Sequence, residues 1–400
     1  MADVKAFFDN LEDSIFDIRQ TKYVRFVDQK CTPDIVCFVA DCILNTECAT
    51  RPFTKNDLWH TNYFKDYTRV VYGKPYADNK GAAKEYDKIA SQPLTLLACA
   101  QVLSRTKEKN AWVYTIKNPE LLEYIALKEQ NTYNFLLAFF IKVINASGMA
   151  RWFHQYKKEC ESDVSEAHKT LYARFRKLSR SIKENRTDSE KESESDRILH
   201  KILNVLAYDG QYAGSNEKIP TWTDLMYNKP NKRDSHKKKK SLTREEFAKQ
   251  EAKEINQNFF IKYQVEKAKR KVHKKQGTTS EVQDDLANGV ASNVHHIFSQ
   301  SQYPTIASYY ENLILLTANQ HYQKAHPDHN TQIVSTTYQY VCLMAKSHTI
   351  EDSIIKKGED FYSKDKFINV INTGLNDTIS IESSFDDIRT HLTYVYIQQS

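Results

Sequence analysis

Apolar residues in the first part of the chain recur mostly at helical spacing, with one β-prone run among them. Residues 32–44, TPDIVCFVADCIL, begin with an N-cap threonine and a proline at the first helical position, which predicts an amphipathic helix. A second helix is predicted to start near Pro93, and one long helix over 119–148 is predicted to stop at Gly148. The β-branched and aromatic run AWVYTIK at 111–117 predicts a strand.

Helices followed by a short strand pair resemble a winged-helix module, which is a common DNA-binding fold. The resemblance implies that residues 1–150 form a helical DNA-recognition region. The same pattern fits any small core that is rich in helices, and that alternative stays open. Residues 151–240 predict a helical segment and a basic loop, with an exposed acidic and serine-bearing break at 183–196.

The remaining pattern is helical on both sides of a short β-prone stretch. Residues 241–283 predict a basic helical arm, because Thr243 and Glu246 form a capping box and Gly277 ends the pattern. Residues 333–400 predict a C-terminal helical region. The 400 residues exceed what one small domain needs, so two or three cores are expected. With only 9 glycines and 9 prolines, the predicted fold class is mainly α and multi-domain.

Composition favours a soluble protein of the cytoplasm. Hydrophobic residues make up 40% of the chain and charged residues 27%. The seven cysteines are irregularly spaced and include no Cys-x-x-Cys pair, which favours reduced thiols in a cytosolic protein. The acidic N-terminus does not resemble a signal peptide, and no run approaches the ~20 apolar residues of a membrane helix, so no membrane partner is expected.

Positive charge is concentrated in one part of the chain. The whole protein carries +6, but residues 232–275 contain sixteen Lys and Arg against six Asp and Glu, a net charge of +10. A basic concentration in an otherwise near-neutral protein is typical of polyanion binding. The competing interpretation is a solvated helix face with a lysine-rich loop.

Histidines flank an asparagine just after this basic region. The run NVHHIF contains His295 and His296, and a second β-prone run contains Asn312. Thr317 and Gln320 then form a capping box, which predicts a helix that carries His321 next to the cap. The order is strand, loop, strand and helix, with Asn312 sixteen residues after His296 and His321 nine residues after Asn312.

These residue types suit phosphodiester hydrolysis. The reaction needs a base that deprotonates water, and positive charge near the developing anion and the leaving oxygen. Neutral imidazole is a suitable base near neutral pH, and a second imidazole can bind a metal. An uncharged amide can hold the base without competing for its proton. Two metal ligands leave positions open for phosphate oxygens and water.

The run V-H-H-I, followed by E-N-L-I-L-L-T and Q-H-Y-Q-K-A-H-P, resembles the HNH nuclease motif, also called the ββα-metal fold. The resemblance covers about residues 284–332 and implies an inserted ββα module at that place. It puts His295 at the first metal-ligand position and His296 at the general-base position. It puts Asn312 at the asparagine that braces the loop and orients the base.

The same resemblance assigns the two histidines that follow. His321 takes the second metal-ligand position, and His326 fits an additional histidine that binds phosphate or supports the site. The implied metal is Mg²⁺, and because histidine ligands are softer than its usual oxygen partners, Mn²⁺, Co²⁺ or Ni²⁺ could also serve. No structural zinc is expected, since the Cys-x-x-Cys pairs of many relatives are missing. Adjacent His295 and His296 can face one metal only if the strand ends, bends or bulges there.

The wider chain resembles type II restriction endonucleases with a C-terminal HNH site, through the runs at 28–44 and 223–234 as well as the histidine module. That implies sequence-specific cleavage of double-stranded DNA with 5′-phosphate ends. It also implies a homodimer, and a cognate methyltransferase without a stable complex. The cations expected on the DNA backbone are Lys237, Lys238, Lys239, Lys240, Lys267, Lys269, Arg270, Lys271, Lys274 and Lys275.

Other functions fit the same residues. The chain could be an HNH homing, phage or modification-dependent nuclease. It could also be a DNA-binding protein that keeps the fold without catalysis. The sequence gives neither the recognition site nor the cut position, because base readout depends on which side chains reach which base edges.

Overall fold

A computed structural model of the chain describes residues 3–72, 74–75, 77–78, 81–182, 188–227, 255–325 and 335–398. The chain divides into two compact units, Met1–Glu251 and Ala252–Ser400. Both are built mainly of helices, as the sequence predicted. All seven cysteines are free, and five of them are buried, as expected for reduced thiols in a core. The finer division of the sequence into five regions remains a prediction.

The first unit consists of helices around one small sheet. Its strands are β1 (Phe53–Thr54), β2 (Leu103–Glu108) and β3 (Ala111–Ile116), antiparallel in the order β1-β3-β2. The described helices are α1 (Val4–Asp9), α2 (Ile18–Thr21), α3 (Pro33–Leu44), α4 (Lys55–Trp59), α5 (Asn62–Tyr72), α6 (Ala83–Cys99), α7 (Pro119–Leu127), α8 (Glu129–Ala146), α9 (Ala150–Glu159), α10 (Val164–Ile182), α11 (Asp188–Gly210) and α12 (Trp222–Leu225).

The predicted helix after Thr32 is confirmed as α3, which is the central helix of this unit. Pro33 occupies its first turn, and every residue from Pro33 to Ile43 is buried. The apolar positions continue around the helix, so it packs on several neighbours, which are α6, α7 and α8. The strand predicted at 111–117 is confirmed as β3.

The predicted helix start at Pro93 is wrong, because α6 begins ten residues earlier at Ala83 and runs through the proline. Proline inside a helix removes one backbone hydrogen bond and crowds the preceding turn. Tyr86 and Ile89 before the proline are as deeply buried as Leu94 after it. Burial of this continuous apolar side therefore outweighs the local preference of proline to begin a helix.

The single long helix predicted over 119–148 is in fact two helices, α7 and α8. Lys128 between them is extended, with φ −154° and ψ 157°. Polar side chains at the start of α8 bind the carbonyls that α7 leaves open: Asn131 donates to Tyr124 at 3.1 Å and Thr132 donates to Ile125 at 2.8 Å. The predicted stop is confirmed by Gly148, whose φ is +68°.

The break predicted at 183–196 is wrong from Asp188 onward, because α11 begins there, and residues 183–187 of the predicted break lie outside the described residues. Two of its polar residues are buried rather than exposed, Glu194 at 2% and Ser195 at 0% exposure. Ser195 donates to Ser179 at 2.7 Å, and a carboxylate oxygen of Glu194 lies 3.8 Å from the guanidinium of Arg25. These long-range partners compensate for burial and could not be read from local composition.

The second unit places a β-hairpin among helices. The hairpin is β4 (Ala291–His296) with β5 (Leu313–Thr317), followed by a π-helical turn at Gln320–Ala325. The helices are α13 (Ile255–Gln276), α14 (Thr336–Lys357), α15 (Lys364–Leu375) and α16 (Phe385–Gln398). The last three of these helices lie within residues 333–400, where the sequence predicted a C-terminal helical region. The described part of the predicted basic arm is α13, and Gly277, at φ +73°, follows its end as predicted.

Helix α13 buries one apolar stripe against the hairpin and leaves its cations on other sides. Val265, Ala268 and Val272 are buried and recur at helical spacing. The helix contacts both β4 and β5. The basic residues between these positions are therefore carried next to the hairpin without entering its core.

A buried ion pair holds β5 in place through a hydrogen bond to its backbone. Glu281 accepts a hydrogen bond from the backbone N–H of Leu315 at 2.8 Å and faces the ammonium of Lys346 at 3.0 Å. Lys346 is 0% exposed and also donates to the hydroxyl of Tyr362 at 2.9 Å. Burial lowers the pKa of Lys346, although Glu281 opposes the shift. The two charges depend on each other, because neither has access to water.

No single helix in the described ranges is both long and apolar enough to cross a membrane. Helices α8 and α9 reach the length and apolar composition of a membrane span only when they are taken together, and the chain bends by 110° between them.

Candidate active site

The predicted capping box at the end of β5 is confirmed and starts the turn that carries His321. The backbone N–H of Gln320 donates to the Thr317 hydroxyl at 3.2 Å, and the backbone N–H of Thr317 donates to the Gln320 amide oxygen at 3.0 Å. The helical segment that follows is a π-helical turn rather than an α-helix. Such turns are rare in proteins, and those that occur are often found at functional sites.

Gln320 is fully buried, and both the oxygen and the nitrogen of its side-chain amide form hydrogen bonds. Its amide oxygen also accepts from the Ser280 hydroxyl at 2.6 Å, and its amide nitrogen donates to the Val282 carbonyl and the Asp284 carboxylate, both at 2.9 Å. This network fixes the backbone next to His321. The sequence identified Gln320 only as a cap, because its partners lie about forty residues earlier in the chain.

The two predicted metal ligands, His295 and His321, lie together. Their ring centroids are 5.3 Å apart, and the rings are nearly perpendicular at 79°. His295 is 3% exposed, whereas His321 is partly exposed. A cation about 2.1 Å from one nitrogen of each ring would lie roughly 3 Å from each ring centre. The separation of the rings therefore fits two ligands of one ion.

The hairpin partly explains how the adjacent residues His295 and His296 can both lie near one metal, although neighbouring residues of a regular strand point to opposite faces. β4 ends at His296, while the register shift lies upstream, between Ala291 and Asn293. Of the alternatives that the sequence left open, the strand therefore ends at the histidine pair and does not bulge there. Within the described ranges no group of three or more His, Cys, Asp or Glu side chains is arranged to hold a metal. The histidine pair thus offers two protein ligands.

His296 lies where β4 gives way to the loop and is partly buried. Its Nε2 lies 3.1 Å from the carbonyl oxygen of Ala307. Because a carbonyl can only accept, we assign the ring hydrogen to Nε2, which leaves the lone pair on Nδ1. Burial, reinforced by the positive charge of Lys269, lowers the pKa of His296 to about 4 from 6.5. The imidazole is therefore neutral at pH 7 and able to accept a proton.

Asn312 holds the loop that positions His296. It is fully buried, and its amide oxygen accepts from the backbone N–H of Phe298 at 2.9 Å. Its amide nitrogen donates to the carbonyl of Phe298 at 3.0 Å and to that of Ile306 at 3.4 Å. Ile306 precedes Ala307, whose carbonyl holds His296. Asn312 therefore acts on the imidazole through the loop backbone.

A basic cleft of about 490 Å³ opens beside these histidines. Its lining combines cations of α13 with residues of β4 and one of the paired rings. The lining residues are Lys269, Arg270, His273, Lys274, Ser292, Asn293, Val294 and His321. Cations next to a histidine pair provide a suitable surface for a phosphate group.

The remaining predicted DNA-contact residues separate into three groups. Lys267 and Lys271 lie on α13 and are partly exposed. Lys275 lines a second cleft of about 320 Å³, together with Lys356 and Lys357. The other predicted residues lie outside the described residues, namely Lys237, Lys238, Lys239, Lys240 and His326.

The pKa of His296 predicts how stability depends on pH. Between pH 6.5 and about 4 the unfolded chain binds a proton at this imidazole that the folded protein excludes. The contribution of His296 to the free energy of unfolding is therefore fully present above pH 6.5. It is lost as the pH falls towards 4, by on the order of 3 kcal/mol. We expect urea unfolding followed by circular dichroism to show a shallower pH dependence in His296→Gln. Equal slopes for the two proteins would contradict this assignment.

No family model, curated protein or solved structure matches this chain. Function is therefore inferred from the residues and geometry of the chain itself.

Proposed function

We propose that this protein is a metal-dependent endonuclease of the HNH type that cleaves double-stranded DNA. The observation that carries the proposal is the 5.3 Å approach of the His295 and His321 rings beside a cleft lined by cations. A nuclease needs these two features in one place, since the metal site must lie where the phosphate backbone can bind.

In this proposal the protein residues have separate roles. His295 and His321 would hold the divalent cation, which supplies positive charge for a phosphate oxygen and for the leaving oxygen. His296 would take the proton of the attacking water on Nδ1, as its low pKa and its bond to Ala307 allow. Asn312 would keep the loop, and with it the imidazole, in place. Cations of α13 would bind the flanking phosphates.

We further propose that the first unit reads DNA and that the enzyme is a type II restriction endonuclease. Its element order α3, β1, α4, α6, β2 and β3, with the sheet order β1-β3-β2, supports a winged-helix arrangement. One departure is α5, which lies between α4 and α6 where a helix-turn-helix has a short turn. A homodimer would match a palindromic site, which is a further expectation of this proposal.

Incubation of the purified chain with unmodified plasmid DNA and Mg²⁺, followed by sequencing of the fragment ends, tests this function. We expect discrete fragments with 5′-phosphate ends. A random smear would leave a nuclease but contradict restriction. Cutting of methylated DNA alone would indicate a modification-dependent enzyme. Tight DNA binding without cleavage in any divalent metal would indicate a non-catalytic DNA-binding protein.

His321→Ala should weaken metal binding, because it removes one of only two proposed protein ligands. We expect the Mn²⁺ concentration for half-saturation to rise by about 100-fold or more. Electron paramagnetic resonance of free Mn²⁺ measures this without any cleavage assay. The control is His348→Ala, an exposed histidine on α14, which should leave Mn²⁺ binding unchanged. Equal Mn²⁺ affinity in wild type and His321→Ala would reject the proposed metal site.

A further inference from the structure

The hairpin formed by β2 and β3 projects from the core of the first unit and is basic. Residues 103–117 carry four Lys or Arg side chains and one acidic side chain, a net charge of +3. The base of the hairpin is anchored, since Leu103 and Tyr114 are buried. Its tip is open to solvent, with Lys107 and Lys109 both exposed. A charged two-stranded ribbon with an anchored base can enter a groove of B-DNA.

An aromatic and an arginine side chain are prearranged on this hairpin. Trp112 is 44% exposed, a high value for an indole in a folded protein. The guanidinium of Arg105 lies 4.6 Å from the centroid of the Trp112 ring and 5.0 Å from that of Tyr23. Stacking holds the guanidinium plane while its edge donors stay suited to phosphate or base-edge acceptors. Lys107, paired across the strands with Trp112, adds a second cation on the same face.

We infer that Arg105, Lys107 and Trp112 form a contact surface for duplex DNA, with the β2–β3 hairpin entering a groove. This inference rests on the proposed function, since duplex DNA is the ligand in both. It adds an interaction surface in the first unit, distinct from the α13 cleft of the second. The opposite charge of the phosphate backbone decides the choice of partner, because a net charge of +3 over residues 103–117 suits a polyanion better than an apolar protein surface.

Binding of a fluorescent mixed-sequence 30-bp duplex by the full chain, without divalent metal, tests the inference. We expect Arg105→Ala and Trp112→Ala each to weaken binding about tenfold. Lys107→Ala should reduce the slope of log affinity against log salt by about 0.9, the value for one lost phosphate contact. Lys169→Ala is the control, because its side chain is 71% exposed beside Glu166 on α10 and should bind like wild type.

A second readout follows the indole itself. The difference in iodide quenching between wild type and Trp112→Phe isolates the exposed Trp112, and duplex DNA should abolish most of that difference. Trp112→Phe also protects the conclusion against misfolding of the alanine variant, as it keeps the aromatic packing. A changed sedimentation coefficient in Trp112→Ala would instead make the hairpin a contact between copies and overturn the inference. So would equal losses on a single-stranded 30-mer.

The outcomes separate this inference from the nuclease proposal. If the hairpin variants lose duplex binding but wild type never cleaves, the contact surface stands and the nuclease proposal fails. If wild type cleaves and the hairpin variants bind normally, only the hairpin assignment is wrong. If wild type binds no duplex at low salt, both are wrong.

Discussion

His296→Ala should reduce metal-dependent DNA cleavage by about 10³-fold or more while DNA binding stays within about twofold of wild type. The large loss is expected because the imidazole is the proposed base, and its low pKa keeps it neutral at pH 7. The small effect on binding is expected because His296 is not among the residues that line the basic cleft. Plasmid cleavage and duplex binding in parallel titrations measure the two effects.

Added imidazole distinguishes a lost base from a damaged fold. If the alanine variant leaves a space at the end of β4, free imidazole should restore part of the cleavage. It should not do so for His321→Ala at limiting metal. Exposed His348 supplies the control, since His348→Ala should cleave at the wild-type rate. Full activity in His296→Ala would remove this residue from the proposed reaction.

Lys346→Met should destabilise the second unit by about 3–5 kcal/mol. The substitution leaves the carboxylate of Glu281, 3% exposed, without its buried counter-charge, so the penalty of burying an ion remains. The double variant Glu281→Gln/Lys346→Met should lose less than Lys346→Met alone, since it removes both charges. A larger loss in the double variant would contradict a dominant charge effect.

The positions of the tryptophans make this measurement specific. All four, Trp59, Trp112, Trp152 and Trp222, lie in the first unit, whereas helices of both units contribute to far-ultraviolet circular dichroism. We expect Lys346→Met to shift the urea transition seen by circular dichroism, with a much smaller shift in indole fluorescence. Lys356→Met is the matched control on α14, because Lys356 is 72% exposed and its pairing with Asp352 at 3.8 Å should contribute little.

Local signals in the sequence correctly predicted where the helical turn that carries His321 begins, and where α3 begins. The Thr317–Gln320 box and Pro33 in the first turn of α3 both act within one helical turn, so short-range chemistry determines them. The approach of His295 to His321 was implied by the resemblance to HNH nucleases. Periodicity could not supply it, because the two residues are 26 positions apart and meet only through the hairpin.

Features that depend on tertiary partners could not be predicted. The carbonyl that holds His296 belongs to Ala307, a residue whose side chain gives no signal of that role. The Glu281–Lys346 pair joins residues 65 positions apart. In the first unit, burial extends α6 through Pro93, and side-chain capping divides the stretch after Pro119 at Lys128. In each case a long-range contact or a competing hydrogen bond outweighed local propensity.

The hydrogen bonds and the burial of Asn312 also protect its side-chain amide from deamidation. Deamidation begins when the backbone nitrogen of the next residue attacks the side-chain amide and closes a succinimide ring. Here that nitrogen belongs to Leu313 and already donates to the carbonyl of Tyr310, while the amide itself is fully buried. Conversion to aspartate would put a carboxylate against the Phe298 carbonyl, so the geometry that holds the loop also preserves the side chain that it needs.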